Sequence, residues 1–466
     1  MIKKIIKNFS YTVISNLISL IISSVVLLWV PNELSKSDYG YWQLYILYAG
    51  YVGYLSLGWT DGIYLRYGGV EYKHIRRDLF SSQFLLVFTY SILLAGIFTF
   101  FNICNNTIFQ IEKTIFFYLI ISIIIVIPNS MLLFTLQGSN QLRDYAVGIT
   151  VERIIYFIII LIFLIYNKVS YQTLISADLI GKLSSFLLVI FLCRDIVFNK
   201  PVKFKIAIKE AFYNINTGVK ILLANLSAVL SNGIVRLFVE KRWNIEVFGM
   251  VSLSFSVINL FMIFVNSIAI VGFPILRKVS IEKIRILFPN IKQICTVILL
   301  FCMMFFWPLK NVMQWVLPKY TDSIEQLVFL LPMCIFECKF SILISVFLKT
   351  IRREKHLLYA NIVSLIVSVV FGYVSVNIFS SVDLAIFCLL IASMAKYYLA
   401  DILLSSDLNL KINFDFFEFG IIVFFVYSNF YHNIKIISYL ILVITYIYLK
   451  RNSIRNSIIF IRRNGN

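Results

Sequence analysis

Runs of about 20 apolar residues recur along most of this 466-residue chain, each long enough to cross a bilayer core of roughly 30 Å. Fourteen spans are predicted: 11–30, 41–65, 79–101, 114–136, 146–166, 172–193, 217–239, 248–272, 290–309, 326–348, 357–377, 384–404, 417–431 and 434–449. The last two are the shortest. Hydrocarbon offers no water to an unpaired backbone N–H or C=O, so spans of this kind must satisfy themselves as helices. The pattern therefore predicts an all-α polytopic membrane protein. Composition agrees: 60% of residues are hydrophobic and 14% charged, against roughly 25% charged in soluble domains.

The stretch 34–66, LSKSDYGYWQLYILYAGYVGYLSLGWTDGIYLR, leaves a charged loop and turns at Asp38-Tyr39-Gly40. It then runs as an aromatic helix to Gly58-Trp59-Thr60-Asp61-Gly62 and Arg66. A weaker copy follows 209 residues later, from Trp243. At that constant offset Asn16 falls on Asn225, Leu17 on Leu226, Val26 on Val235 and Leu28 on Leu237. Val30 then falls on Val239, Gly40 on Gly249 and Leu44 on Leu253. Apolar helices match easily by chance, but the shared asparagine and turn glycine do so less readily. Two similar halves are expected, with an N-terminal bundle at 1–193 (spans 1–6) and a C-terminal bundle at 217–404 (spans 7–12). Between them lies a linker at 194–216 carrying Lys200, Lys203, Lys205 and Lys209. Residues 405–466 hold spans 13 and 14 and a basic tail.

Charge sets the expected orientation. With the N-terminus inside, 29 of the 42 Lys and Arg residues fall at inner ends and loops and 8 in outer loops, which by the positive-inside rule places both termini in the cytoplasm. The first run is too long for a signal peptide and has no small-residue cleavage site. The net charge of +19 is then explained by loops facing anionic lipid, with no need for nucleic acid. No loop is large enough to fold as a soluble domain.

Motifs for enzymatic chemistry are missing from the sequence. The seven cysteines show no CxxC spacing and read as small hydrophobes. His74, His356 and His432 lie in or beside loops and form no local metal motif. Gly181-Lys182 lacks the upstream glycine of a phosphate loop, and neither HExxH nor GxSxG occurs. No cofactor or metal is expected.

Polar residues inside the spans are more informative, because a charge at mid-bilayer costs at least about 2.5–3.5 kcal/mol and usually faces a cavity or a partner. Asp178 and Lys182 stand at i,i+4 in span 6, where mutual neutralisation and cavity lining are both open readings. Glu337 and Lys339 in span 10 point to different faces and need other partners or water. Lys396 in span 12 has only Asp401 near it in sequence. Span 7 carries Lys220 near its start and sets Asn225, Asn232 and Arg236 along one face, where Arg236 could line a cavity, snorkel outward or pair with Glu240. Thr12, Ser15, Ser19 and Ser23 form a polar stripe on span 1 that suits helix packing. Asp61 and Arg66 close span 2 at the inner face, as an interfacial pair or a gate. The candidate substrate-binding set is thus Lys182, Lys220, Arg236, Lys339 and Lys396 with Asn225 and Asn232. The candidate coupling or gating set is Glu337, Asp178, Asp61 and Arg66.

Six stretches then carry a resemblance: LSKSDYGYWQLY, LSLGWTDGIYLRYGG, QGSNQLRDY, GVKILLANLSAVLSNGIVR, IEVFGMVSLSFSVINL and WVLPKYTDSIEQLVFL. Together with the entry from the first span they cover most of residues 10–350. The chain resembles the Wzx-type polysaccharide flippases of the multidrug/oligosaccharidyl-lipid/polysaccharide exporter superfamily. That family often has an acidic residue just before the arginine of span 7, where this chain has Val235. The resemblance implies two six-helix bundles forming a V-shaped cavity, with two further C-terminal helices. It also implies alternating access that carries an undecaprenyl-diphosphate-linked oligosaccharide from the cytoplasmic to the outer leaflet of the bacterial inner membrane. O-antigen or capsule assembly would be the setting, and the resemblance leaves room for a glycan polymerase and a chain-length regulator as partners.

Two other readings stay open. A cation-coupled drug antiporter of the same superfamily would more naturally place isolated acids in the cavity. A membrane-embedded glycan polymerase should carry a large outer loop or a clustered acidic site, and the sequence has neither.

Overall fold

A computed structural model describes residues 2–104, 113–276, 279–411, 414–431 and 436–464, and every regular element among them is helical. Eleven of the helical segments are long and apolar enough to cross a membrane, with two shorter apolar helices at Phe416–Asn429 and Ile436–Leu449. The protein is an all-α, multi-pass membrane protein. Large apolar side chains such as Leu93, Phe100, Leu187 and Phe191 stand exposed on the helix surfaces, as lipid-facing positions require and as a water-facing surface of this extent would not tolerate. His432 and Lys435 of the expected last loop lie outside the described residues.

The chain divides into two compact units, residues 1–226 and 227–466. The first contains α1 (Ile2–Glu33), α2 (Lys36–Val52), α3 (Trp59–Tyr67), α4 (Arg77–Cys104), α5 (Lys113–Gly138), α6 (Leu142–Ile165), α7 (Tyr171–Leu192), the short α8 (Arg194–Val197) and the start of α9 (Phe204–Arg242). Helix α6 packs on α7 and α1, and α5 packs on α3, α4 and α7. Helix starts are fixed by side chains where the sequence supplies them. Ser35 caps α2, and Ser170 with Thr173 forms a reciprocal capping box on α7, satisfying amide N–H groups that the first turn leaves without partners.

The second unit holds the rest of α9 and α10 (Ile245–Leu276), α11 (Ile281–Cys302), α12 (Phe306–Val316), α13 (Thr321–Glu325), α14 (Leu327–Lys339) and α15 (Val346–Thr350). It continues with α16 (Glu354–Tyr373), α17 (Val382–Asp407), α18 (Phe416–Tyr431), α19 (Ile436–Leu449) and α20 (Arg451–Asn464). Helix α17 packs on α14 and α16, while α18 rests on α14 and α19. A π-helical turn, Phe340–Ser345, joins α14 to α15 directly after Lys339. The basic tail is helical as well: α20 packs on α11, where Ser457 donates to Asn290 at 2.8 Å.

Two expected elements take a different form. Span 2 is not one helix over 41–65. It breaks at Val52, passes through the tight turn Gly53–Ser56, and restarts at Trp59 after Leu57 and Gly58 adopt φ of 56° and 85°. Gly58 meets that backbone at no steric cost, and Leu57 accepts a region that side chains rarely enter. The expected basic linker 194–216 is largely helical, because α9 begins at Phe204 and runs through 39 residues. Ser81 and Ser82 of α4 anchor the short remaining turn. Ser81 donates to the carbonyls of Val197 and Asn199, and Ser82 Oγ accepts from the Val202 N–H.

The restart at α3 serves close packing. A Cβ on Gly62 would stand 1.9 Å from the Asn214 carbonyl oxygen, and one on Gly218 would stand 2.0 Å from that of Gly58. The two helices therefore meet backbone to backbone, the arrangement small residues permit in membranes. Gly62→Ala and Gly218→Ala are each expected to lower stability by on the order of 1–3 kcal/mol through overpacking, read as a lower melting temperature in detergent. Gly50→Ala, whose Cβ would meet nothing within 4 Å, should leave the melting temperature unchanged or raise it.

Candidate functional site

In the first unit, the i,i+4 pair of α7 forms. Lys182 Nζ lies 2.6 Å from Asp178 Oδ2, and the fully buried Tyr45 of α2 donates its hydroxyl to the same oxygen at 2.8 Å. The ammonium also stands 5.6 Å from the centre of the Tyr45 ring. Both side chains keep some exposure, 17% for Lys182 and 15% for Asp178. Glu152 of α6, an acid inside a span that sequence reasoning passed over, lies in the field of Lys182 and Arg153. The close approach of α6 and α7 at Gly181, where a Cβ would stand 2.7 Å from the Glu152 carbonyl oxygen, brings these groups together.

Arg66 does not pair with Asp61. Its guanidinium binds Glu210 and Asn214 of α9 and covers the Tyr213 ring. Asn214 continues the network to Gln83 at 3.2 Å, which also accepts from Trp59 Nε1 at 3.0 Å and donates to the Ala207 carbonyl at 2.8 Å. Buried polar groups are satisfied in this way or cost free energy, and here they tie α3, α4 and α9 into one block. Glu210 was not legible as the partner, because 144 residues separate it from Arg66.

Among the described residues of the second unit, three carboxylate–lysine pairs each join two spanning helices, and a fourth links Lys450, after α19, to Asp415, before α18. Lys396 of α17 donates to both carboxylate oxygens of Glu337 on α14, with 2.6 Å to Oε2. Lys339 of α14 pairs with Glu418 of α18, and neither side chain is more than 5% exposed. Lys292 of α11 lies 2.6 Å from Asp401 of α17. Sequence proximity linked Lys396 to Asp401. The fold gives Asp401 to Lys292 and Glu337 to Lys396. Glu337 and Lys339, which at i,i+2 cannot satisfy each other, each find a partner on another helix. Tyr397 stands amid these pairs, with the Lys339 and Lys292 ammoniums 5.3 Å and 5.9 Å from its ring centre.

The remaining candidates stand apart from these pairs. Arg236 lies over the Phe255 ring at 4.9 Å. Asn232 is half-buried, and Lys220 and Asn225 are exposed on α9. Asp61 is half-buried at the start of α3. Among the described residues no group of three or more His, Cys, Asp or Glu is placed to hold a metal ion.

No family model matches the chain, and no curated protein matches it in sequence. Its fold is that of solved membrane transporters. The structure of the lipid II flippase MurJ in an inward closed conformation aligns with TM-score 0.63 at 13% identity, covering 98% of this chain and 99% of that one. An outward-facing multidrug resistance transporter of the MATE family and MOP superfamily aligns with TM-score 0.60 at 13% identity, covering 86% and 96%. A MOP superfamily transporter from Pyrococcus furiosus, described as having a binding pocket of reversed polarity, aligns with TM-score 0.53 at 11% identity over 86% and 96%. At these identities the likeness is one of fold.

Lys339→Met leaves Glu418 buried without its counter-ion and should cost about 3–5 kcal/mol, whereas replacing both residues with methionine should recover most of that loss. Thermal unfolding of the three variants measures it. At the mouth of α18, burial tends to raise the Asp415 carboxyl, but the Tyr446 hydroxyl and Lys450 ammonium outweigh it and hold the group below its ordinary value of 3.8. A depressed carboxyl contributes stability that is complete above the unfolded value and is lost as pH falls through the folded one. The stability gap between the protein and Asp415→Asn should therefore stay constant near neutral pH and close only below 3.8.

Proposed function

We propose that this protein flips an undecaprenyl-diphosphate-linked oligosaccharide from the cytoplasmic to the outer leaflet of a bacterial inner membrane, by alternating access, for surface polysaccharide synthesis. The observation that carries this reading is the set of lysines paired with carboxylates inside the spanning helices. A hydroxyl-rich glycan with a diphosphate cannot cross hydrocarbon unaided, since each unpaired polar group costs kcal/mol amounts. Lys182 and Lys396 supply positive charge within the membrane, and Lys220, Arg236, Asn225 and Asn232 extend the polar surface along α9. The fold shared with a lipid II flippase over nearly the whole chain supports a lipid-linked substrate.

A carboxylate that neutralises a lysine in the empty protein is the group a diphosphate would replace. Glu337, 14% exposed beside a 4% exposed Lys396, is where such an exchange starts, and its return to Lys396 resets the protein. Asp178 plays the matching part for Lys182, while Asp61 and the Arg66 block govern the inner end. Outward movement of an anion across an inside-negative membrane releases roughly 2.3 kcal/mol per charge per 100 mV.

Cells lacking the protein, with the rest of the glycan pathway intact, should accumulate the lipid-linked oligosaccharide on the cytoplasmic leaflet and lose surface polymer. Single units outside but unpolymerised would move the block downstream and contradict the reading. Lys396→Met, present at normal levels, should lower surface polymer at least tenfold, and Glu337→Gln should alter the pH or sodium dependence of the flux. The multidrug transporters of the same fold make small-molecule antiport the second reading. An efflux assay that showed export of a lipophilic cation with unchanged lipid-linked glycan would favour it.

A further inference from the structure

The second unit contains a slot that none of the charged pairs uses. Along α17 it is lined by Asp383, Phe387, Ile391 and Tyr398, spaced so that they fall on one face of the helix. Phe419, Val423 and Val426 of α18 form the opposite wall, and Phe329 of α14 contributes to the lining. From Asp383 to Tyr398 the stripe runs about 22 Å at 1.5 Å per residue. The volume is about 680 Å³, within the roughly 300–1,000 Å³ range of sites that take small ligands.

Its two ends differ. The middle is apolar, and the lining residues Leu384, next to Asp383, and Val423, farther along, are 41% and 48% exposed, so the slot is open sideways where lipid would lie. At the N-terminal end of α17, Asp383 is exposed and near enough to the exposed Glu325 of α13 for the two charges to interact. Among the described residues no Lys or Arg lines the slot. Just beyond this end Arg242 donates to Ser380 Oγ at 3.2 Å. A purely anionic headgroup would meet two carboxylates here, and a neutral one would leave them unused.

We infer that the slot between α17 and α18 holds one chain of a zwitterionic membrane lipid with an ammonium headgroup. The ammonium faces Asp383 and Glu325, the phosphate faces Arg242, and the aliphatic chain fills the seam down to Tyr398. The acids at the mouth make it unsuited to the diphosphate of the proposed cargo, so the site is separate from transport and does not depend on which solute is moved.

The test uses the full chain in nanodiscs of equal phosphatidylethanolamine and phosphatidylglycerol with identical acyl chains, released and weighed by native mass spectrometry. The protein should retain one phosphatidylethanolamine in at least fivefold preference over phosphatidylglycerol. Asp383→Asn combined with Glu325→Gln should bring that ratio close to one. Val423→Trp, a change at a half-exposed position that fills the slot, should cut retention of both lipids without lowering the melting temperature. Phe387→Trp provides the same block from the opposite wall should the first variant fold poorly. Equal retention of the two lipids by the unaltered protein would mark an ordinary annular lipid and overturn the assignment. So would retention that survives both tryptophan variants.

Discussion

An ionised side chain loses its hydration when it enters hydrocarbon, and the structure of this protein depends on how that loss is offset. In water a surface ion pair contributes about 0–1 kcal/mol. Inside a spanning helix the same pair decides which helices can sit together, because either charge left alone is far more costly than the two combined. Lys292–Asp401, Lys339–Glu418 and Lys396–Glu337 act in this way on α11, α14, α17 and α18. Helix α18, which a purely apolar sequence would leave free to drift, is fixed to α14 through one fully buried pair.

The first unit solves the same problem with shorter reach. Asp178 and Lys182 come from one helix, and Tyr45 adds a second donor to the carboxylate oxygen that the ammonium already binds. At the other end of α2 the chain breaks at Gly53–Ser56 and restarts as α3, which lets Gly58 and Gly62 press against Gly218 and Asn214. The buried network from Arg66 through Asn214 to Gln83 then holds the beginning of α9 in place.

Hydropathy alone locates most of the spans, since a 20-residue apolar run in a bilayer has no alternative to helix. The interruption at 53–58 escapes such a count: its signals are Gly53 and Gly58 inside an otherwise apolar run, and averaging over a window removes them. Lys182 and Asp178 are legible as a pair because helical geometry alone brings i and i+4 together. The other partners are not legible, since Lys396 and Glu337 lie 59 residues apart, Lys339 and Glu418 79, and Lys292 and Asp401 109. Only packing selects among the acids available, which is why Asp401 looked like the neighbour of Lys396 and serves Lys292 instead. The helical form of 204–216 was hidden for a different reason. Its lysines read as a solvated linker, yet in α9 they stand on a continuous helix whose buried face carries Ala207, Ala211 and Asn214.

In the proposed function, lysines neutralised inside the membrane exchange their carboxylates for the diphosphate of a lipid-linked glycan. The most direct measurement places the purified protein in sealed liposomes with a fluorescent polyprenyl-diphosphate oligosaccharide and follows its accessibility to an external quencher. Protein-dependent movement between leaflets is expected, at least tenfold slower with Lys396→Met at equal protein content. Movement at the rate of empty liposomes, or at an unchanged rate in the variant, would contradict it.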